Sequence, residues 1–388
     1  MLRVPAVLMR GGTSKCLFFH EKDLPVDRQE RDRLLLAIMG SPDPRQIDGL
    51  GGSYSTTSKV CIIGRPPTGM DADVTYTFAQ VSVTAPIVDY GGNCGNCSSA
   101  VGPFAVEEGL VQAQEPTTTV RVYNTNTGKL LRLEVAVRER RYDAEGSVRI
   151  SGVPNPASRI VVWFDDPAAA VTGALLPTGH ARDVIDVPDL GQVEISIVDA
   201  ANPVAFVRGE ALGVTGRESP AELDAAGGFS RRIEAIRSIA AGMCHIVDDW
   251  RDATRKSPGI PKVAFVMPPA DYQDLSGHTI PACDMDLLGR IMSMQTCNRA
   301  YALTGAVATC AAAFIPGTVV CDIVADEARR ARRIRIGHPS GALEMSADIE
   351  IREGSVEVRS IGSVRTARRL MDGYVHVTGS VLAQLAPP

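Results

Sequence analysis

Apolar residues along this chain recur mainly with a period of two. The runs VPAVLM, KVCIIG, DVTYTFAQVSV, TTVRVYN, LRLEVAV and SRIVVWF occupy the first half. VEISIVDA, PVAFVRG, KVAFVM, RRIRIG, LEMSADIEI, SVEVRSI and YVHVTG occupy the second. Most are rich in β-branched residues and bounded by Gly, Pro, Asn or Asp, the pattern of strands. A period near 3.6 appears in fewer places, and it predicts helices over 28–39, 97–109, 221–247, 284–295 and 304–314. Many strands with a few separate helices predict an α+β fold rather than regular βαβ repetition.

The two halves share an order of landmarks. An early strand ends in a polar turn, LMRGGTSK first and VDAANPVAF later. A glycine-bearing turn then opens a helix of small residues, NCGNCSSAVGPFAVEEG and ALTGAVATCAAAFIPG. A strand with a polar glycine turn follows, VYNTNTGKLLRLEV and IGHPSGALEMSADI. Gly95 to Gly128 spans 33 residues and Gly305 to Gly341 spans 36. Such spacing predicts a duplicated domain. The expected boundary lies in VPDLGQ, giving domains 1–188 and 189–388, with the last strands free to return to the first domain.

Composition narrows the class. A chain of 388 residues with 45% hydrophobic and 22% charged residues has ample core for two domains. The net charge of -5, with no basic stripe, gives no reason to expect nucleic acid or membrane partners. The longest apolar stretch, near 302–316, is interrupted by Thr304, Gly305, Thr309 and Pro316, too short and broken for a membrane span. No signal peptide is apparent, so the nine cysteines are expected as reduced thiols in a cytoplasm. Lysine is scarce beside arginine, and Lys15 and Lys59 each close a Thr-Ser-Lys run.

Both repeated helices begin near a glycine, at Gly95-Asn96 and Gly305-Ala306. A helix N-terminus presents unpaired N–H groups and partial positive charge, and glycine admits a ligand close to that backbone. Two such termini facing each other across a domain cleft would hold a small di- or tricarboxylate. Close packing of two buried helices is the alternative reading of the same small residues. Cys94 sits just before the first helix, where its thiol pKa is expected to fall. The matching position, Thr304, cannot titrate usefully. Lys59 is then the best second group, expected to act as a desolvated base near neutral pH.

Other chemistries fit less well. Zinc needs a second ligand pair, and neither a second C-x-x-C nor H-x-x-x-H exists. RGGTSK and STTSK do not match Walker A, and G-x-G-x-x-G is absent. His338 reads as a turn or capping residue and His245 as structural. Cys94 and Cys97 at a helix start keep a thiol-disulfide protein open as an alternative.

The motifs MRGGTSK (9–15), GSPDPRQIDGLGG (40–52), TSKV (57–60), NCGN (93–96), NTNTGK (124–129), ANP (201–203), TGA (304–306), IPGT (315–318) and GHPSG (337–341) together resemble the PrpF family. The resemblance runs in order along nearly the whole chain. It implies a diaminopimelate epimerase-like fold, with two similar domains, each a curled, mostly antiparallel sheet around a central helix, and an active site between them. It implies an isomerase needing no cofactor or metal, which moves a proton along an allylic unit of an unsaturated polycarboxylate. Lys59 and Cys94 would carry the proton transfer. Ser14, Gly95, Asn96, Asn202, Asn298, Thr304, Gly305, Ala306 and Ser340 would hold the substrate. Asn298 stands where many relatives carry histidine, and Cys16 where glycine is common. NTNTGK and TYTFAQVS look closer to the methylitaconate and 2-methylaconitate members. 4-Oxalomesaconate tautomerase and aconitate isomerase remain alternatives, and a homodimer is an open assembly state.

Overall fold

A computed structural model describes residues 1–352 and 355–384. Contacts divide the chain into two units, Met1–Val162 with Arg365–Pro388, and Trp163–Val364. Residues 163–188 thus fall in the second unit, ahead of the boundary expected in VPDLGQ, and residues 385–388 of the expected second domain lie outside the described residues.

The first unit opens with a hairpin of β1 (Leu2–Gly11) and β2 (Ser14–His20), closed at Gly11↔Ser14. Helix α1 (Arg28–Met39) starts at Asp27, whose carboxylate accepts from the Glu30 N–H, and stops at Gly40 with φ 73°. β3 (Lys59–Gly64) lies parallel to β2, and β4 (Val74–Val81) antiparallel to β3. Helix α2 (Gly95–Glu107) leads to β5 (Thr117–Asn124), parallel to β4, and β6 (Lys129–Arg138), antiparallel to β5.

These pairings sort the side chains by face. Leu17, Phe19, Val60, Ile62, Ala79 and Val81 join Leu34, Leu35 and Ile38 of α1 in one core cluster. The alternating residues Cys16, Phe18, Lys59, Cys61, Phe78 and Gln80 therefore point to the opposite face. Helix α2 lies there, and Phe18 meets Phe104 with ring centroids 5.3 Å apart, a pair that stabilises by about 1 kcal/mol beyond its burial. Covered on both faces, β3 is apolar almost throughout; its one charged residue is Lys59.

Strand β7 (Ile160–Asp165) carries the chain into the second unit. There β8 (Asp183–Val187) pairs antiparallel with β9 (Gly191–Ala200), and β10 (Asn202–Arg208) follows. Helices α3 (Pro220–Ala225) and α4 (Phe229–Met243) precede β11 (Lys262–Met267) and β12 (Leu287–Ser293). Helix α5 (Leu303–Ala313), β13 (Arg333–His338), β14 (Gly341–Arg352) and β15 (Ser355–Arg365) complete it. The pairings alternate antiparallel β9–β10, parallel β10–β11, antiparallel β11–β12, parallel β12–β13 and antiparallel β13–β14. This is the order of β1 to β6, with α4 in the place of α1 and α5 in the place of α2. β16 (Ala367–Val377) then pairs antiparallel with β1 in the first unit.

Two expectations need correction. The stretch 284–295 is not a helix; it holds β12, buried at all seven positions. Leu288 and Met292 face the α4 cluster, while Ile291 reaches α5 at Gly305. A strand buried on both faces shows no period of two, so periodicity cannot tell it from a buried helix. The stretch 221–247 is two helices, separated where Gly228 adopts φ 82° and where the Ser219–Glu222 capping box has started the first. His245 lies past the end of α4, exposed, at φ 55°. Among the described residues, no helix is long and apolar enough to cross a membrane.

Helix α2 can sit against β6 only because Gly102 has no side chain. A Cβ there would lie 2.6 Å from Val135 Cγ2. Gly102→Val is expected to lower unfolding free energy by about 1–3 kcal/mol through overpacking, read from urea denaturation midpoints. An unchanged midpoint would show that α2 and β6 are not in close contact.

Candidate active site

Strand register builds the centre of the site. Cys16 on β2 and Gln80 on β4 are the direct partners of Lys59 on either side. Partners in register share a face, so the three form a row beneath the start of α2. Lys59 Nζ donates to Gln80 Oε1 at 2.6 Å and lies 4.8 Å from the Phe78 ring centroid. Gln80 Nε2 donates to the carbonyls of Ser58 at 2.9 Å and Ser55 at 3.1 Å, so its amide is fixed and aimed. Gln46 Nε2 in turn donates to Ser58 Oγ at 2.7 Å and Ser41 Oγ at 2.9 Å, tying the 40–58 loop to the base of β3. Of the two Thr-Ser-Lys lysines, Lys59 is buried and Lys15, on the other face of its strand, is half-buried.

Cys94 is the N-cap of α2. Its sulfur accepts from the Cys97 N–H at 3.4 Å, and its carbonyl accepts from Tyr76 Oη at 3.3 Å and Ser98 Oγ at 3.0 Å. Gly95 and Asn96 occupy the first turn, where N–H groups precede the intrahelical ladder. The RGG turn after β1 fits against this end. A Cβ on Gly12, at φ 51°, would lie 2.2 Å from Asn96 Oδ1, and one on Gly11 would lie 2.5 Å from the Asn96 carbonyl oxygen. Two glycines therefore bring Ser14 close enough to Cys94 to help lower the pKa of its thiol. The structure thus brings Ser14, Lys59, Cys94, Gly95 and Asn96 together.

Burial opposes ionisation of Cys94, yet its pKa lies well below the ordinary thiol value. The Cys97 thiol, the Lys59 charge, the Cys97 N–H and Ser14 all favour the thiolate. Burial likewise pushes Lys59 down, but the sulfur charge at Cys94, with smaller contributions from Cys97 and Cys16, raises it above the usual amine value. This corrects the expectation of a neutral lysine base. Desolvation would give that result for an isolated lysine; opposite charge within hydrogen-bond reach reverses it. These directions favour a thiolate at Cys94 and an ammonium at Lys59, both nearly buried, with Cys94 9% and Lys59 7% exposed.

Three more thiols lie behind this pair. The sulfurs of Cys16, Cys61 and Cys97 are all within 4.8 Å of one another. Burial raises the pKa of each well above the ordinary value. Spacing along the chain could not reveal this group, because β2, β3 and α2 contribute one member each. These sulfurs are close enough together to share a metal ion, and a structural zinc site would need a fourth ligand beside them. Gln80, Gln46 and Tyr76 were also missed. Gln80 had one visible signal, a polar residue inside the apolar run FAQVSV.

The remaining candidates lie in the second unit. Asn202 Nδ2 donates to Thr304 Oγ1 at 3.1 Å, and both are buried. Thr304 is the second residue of α5, whereas Ala302 precedes the helix without a side-chain cap. The Ala306 N–H already donates to the Ala302 carbonyl at 2.8 Å. A Cβ on Gly305 would lie 2.2 Å from Ile291 Cδ1, so packing accounts for that glycine. Asn298 Oδ1 accepts from the Ala300 N–H at 3.0 Å, and Ser340 Oγ donates to the neighbouring Arg299 carbonyl. His338 Nδ1 accepts from the Ser340 N–H at 3.2 Å, the turn role expected of it.

A sequence profile described as PrpF protein matches residues 1–378. Over 377 residues the chain is 45% identical to 3-methylitaconate isomerase of Eubacterium barkeri, covering 97% of each. It is 39% identical to 2-methyl-aconitate isomerase of Cupriavidus necator over 397 residues, covering 97% of this chain and 98% of the relative. It is 40% identical to 4-oxalomesaconate tautomerase of Pseudomonas putida over 373 residues, covering 96% of each. The crystal structure of methylitaconate-delta-isomerase superposes with a TM-score of 0.76 at 44% identity, covering 98% of this chain and 97% of that one. A probable proline racemase from Agrobacterium radiobacter shares the fold, with a TM-score of 0.56 at 14% identity over 97% of this chain and 93% of that one.

The ion pair makes a direct prediction. Lys59→Met keeps most of the side-chain volume and removes the charge, so the Cys94 thiol should titrate at higher pH. Alkylation of Cys94 by iodoacetamide, followed by mass spectrometry of its peptide, should inflect below the ordinary thiol range in the wild type. In Lys59→Met the inflection should move upward. Identical inflections would remove Lys59 as a cause of the thiolate.

Proposed function

The chain belongs to the PrpF family, and from that membership we propose that it is a proton-transfer isomerase of an unsaturated di- or tricarboxylate of the methylitaconate or 2-methylaconitate type. The observation that carries this reading is a buried lysine, Lys59, together with Cys94 at the N-cap of α2, each shifting the other toward its charged form. The relatives named as methylitaconate and 2-methyl-aconitate isomerases support the substrate class.

In the proposed reaction the Cys94 thiolate takes the allylic proton γ to a carboxylate. The electron pair spreads through the double bond onto that carboxylate as a dienolate. Backbone N–H groups at Gly95 and Asn96, with the Ser14 hydroxyl, stabilise the charge as it develops. The Lys59 ammonium returns a proton at the far end of the allylic unit, which shifts the double bond. Return to the original carbon after rotation gives cis-trans isomerisation. Either outcome leaves a neutral thiol beside a neutral amine. One proton passing between these hydrogen-bonded groups restores the resting pair.

Incubation in deuterium oxide with a panel of unsaturated polycarboxylates tests the reading. Deuterium should enter the methylitaconate or 2-methylaconitate type faster than 4-oxalomesaconate. Lys59→Ala and Cys94→Ser should each lower the rate by about 10²- to 10⁴-fold; wild-type exchange in either variant would sink the assignment. No exchange into any member of the panel would sink the substrate class.

The pH profile separates the two proton assignments. A thiolate base protonates as pH falls through its depressed pKa, and an ammonium acid is lost as pH rises through its elevated pKa. The rate should therefore be flat across neutrality and fall on both sides. A neutral Lys59 base would instead give a rate that climbs through the alkaline range.

A further inference from the structure

We propose that Cys94, Cys97 and Cys16 form an oxidation relay, in which damage to the reactive Cys94 is passed inward as a disulfide and comes to rest between Cys16 and Cys97. The proposal goes beyond the isomerase reading. Its readout is the covalent state of three sulfurs, so it stands or falls apart from any assignment of substrate.

The geometry supplies a line of sulfurs. Cys97 donates its backbone N–H to the Cys94 sulfur at 3.4 Å on one side, and its own sulfur touches that of Cys16 on the other. The Cys16 and Cys97 sulfurs are therefore neighbours, within reach of disulfide formation. Exposure sets the direction of entry. Cys94 is 9% exposed, Cys16 1% and Cys97 0%, so an oxidant from solution meets Cys94 first. Cys94 is also the thiolate, and the thiolate is the form that reacts.

The oxidant is a hydroperoxide, and the steps balance. The Cys94 thiolate attacks one peroxide oxygen of hydrogen peroxide, giving a sulfenic acid, while the departing hydroxide takes the Lys59 proton as water. The Cys97 thiol attacks the Cys94 sulfur, forming the Cys94–Cys97 disulfide and releasing a second water. Cys16 then attacks Cys97, breaking that disulfide and forming Cys16–Cys97. The Cys16 proton goes to the Lys59 amine, its register partner on β3, and the electron pair leaves on Cys94. In sum, two buried thiols and one peroxide become one disulfide and two waters, and the Cys94–Lys59 ion pair is restored.

The last exchange runs inward for a physical reason. The sulfur with the lowest pKa is the best leaving group, and a disulfide made from a stabilised thiolate is the more oxidising one. Cys94 is stabilised as thiolate; Cys16 and Cys97 are held as neutral thiols by burial. Forming the disulfide at the buried pair therefore returns charge to the one sulfur built to hold it. Cys61, the third thiol of the buried group, is the competing acceptor, and the test separates it.

The test uses the full-length, reduced protein treated with hydrogen peroxide, blocked with N-ethylmaleimide at intervals, and mapped without reduction by peptide mass spectrometry. The expected course is a transient Cys94–Cys97 disulfide, followed by a lasting Cys16–Cys97 disulfide with Cys94 again open to alkylation. A lasting Cys94–Cys97 disulfide, a Cys61–Cys97 disulfide, or Cys94 sulfinic acid as the main product would each overturn the relay. Cys16→Ala and Cys16→Ser should trap Cys94–Cys97 and raise Cys94 sulfinic acid several-fold at excess peroxide. Unchanged products in variants that fold would also overturn it, and the wild-type time course decides the matter if neither variant folds.

Discussion

A lysine ammonium held inside a sheet, facing a helix N-terminus rather than water, is the constraint around which the first unit is arranged. A buried cation left unpaired is destabilising by about 3–5 kcal/mol. Lys59 opens β3 between two paired strands and is nearly buried. Its charge is met inside the protein by the Cys94 sulfur and the Gln80 amide oxygen. Each partner depends on another element. Gln80 is aimed by the carbonyls of Ser55 and Ser58, and Ser58 is held through Gln46. Cys94 is held by α2, which needs Gly11, Gly12 and Gly102 to sit as close as it does. Loop 40–58, the RGG turn and the small residues of α2 are one solution to one electrostatic problem.

The same arrangement explains why the repeated units differ in chemistry while agreeing in topology. Both run the same alternation of antiparallel and parallel pairings, and both bury a helix of small residues. At the start of α5 the polar groups are the Asn202 amide and the Thr304 hydroxyl, bonded to each other. Neither of these two groups titrates near neutrality, so this pair cannot exchange protons with a carbon acid. The repeat fixes where a helix terminus will lie; only the first unit puts a thiol and an amine beside it.

Much of this was legible in the sequence, and what was not has identifiable causes. The limits of α1 and nearly all the strands follow from apolar period and from capping or turn residues. Cys94, Lys59 and the small-residue helices follow from motif and spacing. What escaped depends on register or on double burial. Gln80 is a functional neighbour only because β3 and β4 pair Lys59 with it, and no local pattern encodes that pairing. The thiol group of Cys16, Cys61 and Cys97 comes from three elements for the same reason. β12 reads as a helix because both of its faces are covered. The resting protonation of Lys59 was misjudged because burial was counted and the opposite charge was not. Gly305 carries a demand that motif reasoning does not show: a Cβ there would run into Ile291.

The first feature a reader of this chain notices, two cysteines separated by Gly95 and Asn96, takes its meaning from neighbours outside the motif. In a thioredoxin-like pair the two thiols serve each other. Here Cys97 and the Lys59 charge both lower the Cys94 pKa, while burial raises that of Cys97. On the proposed chemistry, base and acid are hydrogen-bonded to each other, so both reach the substrate from one side. A racemase needs two groups on opposite faces of a carbon, because inversion removes a proton from one face and returns it to the other. A single thiolate–ammonium pair does not meet that geometry. It suits removal and return of a proton on one face of a planar dienolate, and that demand is what distinguishes moving a double bond from inverting a centre.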